Sequence, residues 1–185
     1  MKTDYKTEFL DAIERSERWG LSVPSVSLSD IPVLSEPEQG EAVKIINQIF
    51  SNYRPEDVSQ QCFGIMLYLQ PFLEEIFRKP LYYTLGYIQY NHRPVFFTPC
   101  EVLKEKMVTP FTTGGSFNLH AWLTTPNLEI IDLTFGTTFG VVTNNPDTYG
   151  LSSMQHYSKF DERMIYHPQL VGEDYLRKCG GLIEF

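Results

Sequence analysis

No stretch of this chain approaches the ~18 consecutive apolar residues that a membrane-spanning helix requires. Cysteine is scarce: Cys62, Cys100 and Cys179 form no C-x-x-C pair, and three thiols cannot all be bridged internally. That pattern fits a reducing compartment rather than a disulfide-stapled secreted scaffold. Positive charge is short, with 15 Lys and Arg against 23 Asp and Glu and a net charge of −8. A generic nucleic-acid or anionic-membrane binder needs the opposite balance, so neither partner is expected. The opening residues Lys2, Thr3, Asp4, Tyr5 and Lys6 have no apolar core of the secretory kind. A cytoplasmic protein is expected, with export as an effector by an unconventional route as the exception. His156 and His167 lack metal-ligand spacing to a cysteine or to each other, so no metal is expected. Gly114-Gly115 lacks the Lys-Ser/Thr of a phosphate loop.

The chain does have enough apolar residues for a core. Hydrophobic residues make up 42% of its 185 residues, and aromatics 14%, with 11 Tyr and 13 Phe. This is an ordinary globular balance for one domain. No repeat or linker divides the sequence. We therefore read residues 1–185 as a single domain with a helical cap (1–54), a core (55–140) and a C-terminal completion (141–185).

Apolar periodicity predicts a helix over 3–19 with Tyr5, Phe9, Ala12, Ile13 and Ser16 on one face. An extended Ser- and Pro-bearing arm follows over 21–34. The Ser35/Glu38 capping box then opens a helix to about Tyr53 that buries Val43, Ile46, Ile49 and Phe50. Arg54-Pro55-Glu56-Asp57 reads as a break. A third helix, capped by Ser59 or Asp57, starts almost on Cys62 and is apolar nearly all round, which predicts a buried central helix kinked or restarted at Pro71. Strand texture begins near Leu81 and runs to Tyr90, with a turn at 91–94. Two further strands, 117–124 and 128–135, flank Thr125-Pro126-Asn127. A strand over Met164–Val171 and a short helix over Glu173–Cys179 complete the reading. The predicted class is α+β, an antiparallel sheet packed on the Cys62 helix. Residues 98–116, with Phe111 as contact and Gly114-Gly115 as hinge, read as a cover over the Cys62 cleft.

Chemistry concentrates on three positions. A nucleophilic thiol needs a lowered pKa, which a helix N-terminus favours, and Cys62 is placed in such a first turn. Gln60 and Gln61 precede it with amides suited to an oxyanion site. A buried small hydrophobe would occupy the same position, so Cys62 alone decides nothing. His120 and Trp122 share one strand face. A three-residue loop at Thr125–Asn127 pairs Thr124 with Leu128 and, further along the ladder, His120 with Asp132. Asp132 lies in an apolar run, where an unpaired carboxylate is costly. His92 reads as an exposed turn residue. Cys100 and Cys179, with no neighbouring histidine in sequence, read as inert.

The order of these segments resembles a family. A helix led by Cys62, a strand through Leu85-Gly86-Tyr87-Ile88, His120-Ala121-Trp122, and Ile131-Asp132-Leu133-Thr134 are similar to the transglutaminase-like branch of the papain-like superfamily. The resemblance covers roughly residues 55–140. It departs from that pattern where Gln61 and Phe63 flank the cysteine and Leu128-Glu129-Ile130 precedes the aspartate. It implies a papain-like fold, Cys62 as nucleophile, His120 as general base and acid, and Asp132 orienting the histidine. It also implies substrate contacts from Gln60, Gln61 and Trp122. The implied activity is that of a cysteine peptidase or amidase acting on a peptide or protein amide through a thioester, without a cofactor. The alternatives are an acyltransferase or transglutaminase using the same triad, and an inactive binding module on the same scaffold.

Overall fold

The computed structural model describes residues 4–109 and 118–181. In chain order the helices are α1 (Tyr5–Arg18), α2 (Glu36–Phe50), α3 (Pro55–Val58), α4 (Cys62–Phe77), α5 (Cys100–Val108), α6 (Phe135–Thr143) and α7 (Asp174–Cys179). The strands are β1 (Tyr82–Tyr90), β2 (Arg93–Val95), β3 (His120–Thr124), β4 (Glu129–Asp132), β5 (Ser153–His156) and β6 (Met164–Val171). The class is α+β, and the strand pairings set out below are antiparallel. The chain forms two compact units, each discontinuous in sequence. Unit 1 comprises Met1–Val26, Tyr82–Ala121 and Tyr157–Phe185; unit 2 comprises Ser27–Leu81 and Trp122–His156. The predicted 1–54 cap is thus divided at Val26. Phe111 and Gly114-Gly115 lie outside the described residues.

In unit 1, β1 pairs with β2 and β6. Asn91 and His92 both take positive φ (47° and 63°), the geometry of a tight hairpin turn, as the sequence at 91–94 predicts. Helix α1 packs on β6. It buries Tyr5, Phe9, Ala12 and Ser16, at i, i+4, i+7 and i+11. Three polar ties fix it: Val171 N–H donates to Ser16 Oγ at 2.9 Å, Arg15 donates to the Gln169 carbonyl at 2.6 Å, and Glu8 Oε2 meets His167 Nδ1 at 2.8 Å. The β1–β6 ladder passes from Leu85↔Leu170 to Gly86↔Pro168, leaving Gln169 as the extra residue of a β-bulge.

In unit 2, β4 pairs with β3 on one side and β5 on the other. The register corrects the sequence reading. Thr124 pairs with Ile130 and Leu123 with Ile131, so the ladder is offset by two residues from one matching Thr124 with Leu128. Leu128 N–H closes a turn on the Thr125 carbonyl, and Leu128 takes φ 60°. The three-residue loop is therefore Pro126–Leu128, one place later than Thr125–Asn127. Buried Glu129 pins it: its carboxylate accepts from Val33 N–H (2.9 Å), Leu34 N–H (3.3 Å) and Thr125 Oγ1 (3.0 Å). This carboxylate also holds the 27–34 arm, whose amides have no ladder of their own.

Three helices depart from expectation. The Arg54–Asp57 break is the single turn α3, closed by an Arg54–Asp57 ion pair. Helix α4 runs unbroken through Pro71. It is not buried all round: Cys62, Met66, Leu69, Leu73 and Phe77 are buried, whereas Tyr68 is 58% exposed. Helix α2 buries only Ala42; Val43 is exposed, and the rest of its apolar face lines cavities.

Helix α6, Phe-Gly-Thr-Thr-Phe-Gly-Val-Val-Thr, has poor helix propensity. Packing makes it helical. A Cβ on Gly136 would lie 2.5 Å from the Leu151 carbonyl, and one on Gly140 2.7 Å from the Asn145 carbonyl. The two glycines sit one turn apart, and the 145–151 segment packs directly on their backbone. Among the described residues, no helix is long and apolar enough to cross a membrane.

Gly140→Ala is expected to destabilise the protein by about 1–3 kcal/mol through overpacking against backbone. Gly40→Ala, in α2 with nothing within 4 Å of its added methyl, is expected to stabilise by about 0.5–1 kcal/mol. Denaturant unfolding of the two variants checks the contrast.

Candidate active site

Cys62 is the first residue of α4, and its side chain is 6% exposed. Its N–H and that of Gly64 lie ahead of the first i→i−4 bond, which runs from Ile65 N–H to the Gln61 carbonyl. The chain approaches the helix through a constrained turn. Gln60 takes φ 63°, a left-handed conformation that costs a non-glycine residue about 1–2 kcal/mol. Its N–H donates to Thr138 Oγ1 at 3.3 Å, and Gln61 N–H donates to the Val58 carbonyl at 3.1 Å. Both backbone amides are therefore committed, and what these residues offer a ligand is their exposed carboxamide side chains. Ser59, a predicted cap, instead has a buried Oγ with no hydrogen-bond partner in the structure. The N-cap position of α4 is Gln61, without a side-chain cap bond.

Asp132 is buried, and Oδ1 accepts from Thr134 N–H (3.0 Å), Phe135 N–H (3.1 Å) and Thr134 Oγ1 (3.4 Å). This carboxylate anchors the first turn of α6, whose Thr138 holds the Gln60 amide. A path of hydrogen bonds and helix geometry thus runs within unit 2 from Asp132 to the residues preceding Cys62. Trp122 is fully enclosed and serves as a core side chain. Extending the observed β3–β4 register places Trp122, rather than His120, opposite Asp132. The two-residue offset preserves the alternation of faces, so His120 shares the face of β3 that carries Trp122. His120 is buried, belongs to unit 1, and stacks on Phe96 with ring centroids 5.4 Å apart.

A groove of about 290 Å³ borders the start of α4. Gln61, Gly64, Ile65 and Tyr68 form one wall, and Ile49 and Phe50 of α2 the other. A smaller cavity of about 210 Å³ lies between α2, α3 and α6, lined by Ile46, Val58, Leu133 and Thr137 among others. Both exist because α2 leaves its apolar face uncovered. Periodicity located that face, but not its partner.

The other cysteines differ from each other. Cys179 is fully buried, and burial pushes its thiol up from the ordinary cysteine range. Cys100, read from sequence as inert, begins α5 and accepts from the Gln169 carboxamide at 3.6 Å. Sixty-nine residues separate them, so spacing carried no signal. Among the described residues, no three His, Cys, Asp or Glu side chains are placed to hold a metal ion.

Thr138→Val removes the acceptor of the Gln60 amide and is expected to cost about 0.5–1.5 kcal/mol. Ser59→Ala, which removes an unpartnered buried hydroxyl, is expected to be neutral or stabilising; thermal unfolding of both variants distinguishes them. No family model, curated protein or solved structure matches this chain.

Proposed function

We propose that the protein is a thiol hydrolase of papain-like, transglutaminase-like design that cleaves an amide of a peptide or protein substrate. Cys62 is the nucleophile, His120 the general base and acid, and Asp132 the residue that orients His120. The observation that carries the reading is the position of Cys62 at the head of a sixteen-residue helix whose first turn, through Gln61 and Gly64, lines a groove with apolar and aromatic walls. A helix N-terminus favours a thiolate and supplies N–H groups for a developing oxyanion. The strained, tethered Gln60 turn supports it further, since backbone strain of this kind collects at functional sites.

In the proposed reaction His120 takes the Cys62 proton and the sulfur attacks the amide carbonyl. Collapse of the tetrahedral intermediate breaks the C–N bond, and His120 returns the proton to the departing amine. Water, deprotonated by His120, then adds to the thioester and releases the carboxylic acid and the free thiol. The Gln60 and Gln61 carboxamides are suited to hold the substrate carbonyl. The groove at Phe50, Ile65 and Tyr68 is suited to an apolar side chain next to the cleaved bond.

Cys62→Ser, with unfolding unchanged, or His120→Ala is expected to reduce amide turnover by about 10²–10⁴-fold. Tyr68→Asp is expected to raise KM for substrates with a large apolar residue while leaving Cys62 alkylation intact. Iodoacetamide, read by mass spectrometry at each thiol, should modify Cys62 fastest and Cys179 slowest at neutral pH. The raised pKa of Cys179 leaves it protonated there, so its rate should climb only at alkaline pH. Equal rates at Cys62 and Cys179 would remove the basis for a special thiol.

A further inference from the structure

We draw no further inference here: the strongest candidate, the cavity of about 210 Å³ between α2, α3 and α6, is part of the apolar face that α2 leaves uncovered, and nothing in the structure shows what covers it.

Discussion

The geometry at the head of α4 depends on one carboxylate. Asp132 Oδ1 accepts two backbone N–H groups and a hydroxyl at the start of α6. Without that anchor, a segment containing two glycines and several β-branched residues has little reason to be helical. Once α6 is in place, its Thr138 receives the Gln60 amide, and its glycine face receives the 145–151 segment. A residue read from sequence as orienting a histidine serves in the structure as the cap of α6.

Buried carboxylates organise unit 2 more generally. Glu129 does for the 27–34 arm and the β3–β4 turn what Asp132 does for α6, collecting donors from backbone that lacks regular partners. Each is expensive to bury alone and inexpensive when saturated. Unit 1 presents the reverse case. There, Gln169 Oε1 and His167 Nε2 are buried without hydrogen-bond partners.

The correction at the β3–β4 hairpin has a simple origin. A three-residue loop was legible from Thr125-Pro126-Asn127, but the left-handed position falls on Leu128, not Asn127. Leucine is a poor choice for φ 60° on intrinsic grounds. What overrides that preference is Glu129, whose N–H donates to Thr125 Oγ1 while its carboxylate accepts from the same hydroxyl. The displacement is an even number of residues, so the faces assigned to His120, Trp122 and Asp132 survive although the pairing does not. The α4 reading failed for a different reason. Composition says that a helix is apolar, but not how much of it is covered, and Tyr68 remains open to solvent.

By itself the sequence determined the elements whose pattern is local: the α1 face at Tyr5, Phe9 and Ala12, the Ser35 cap of α2, the helix beginning at Cys62, the turn at 91–94, and β6. Periodicity and capping act over a few residues, and a single chain displays them. Tertiary structure alone decided what depends on partners distant in sequence. It made α6 a helix despite its propensity, and it left α2 bordering cavities instead of a core. It also gathered Glu8, Cys100, His167 and Gln169 around one cavity, although Glu8 and His167 are 159 residues apart. Contacts of that range leave no spacing signal, because the bulge and helix packing that create them are properties of the folded chain.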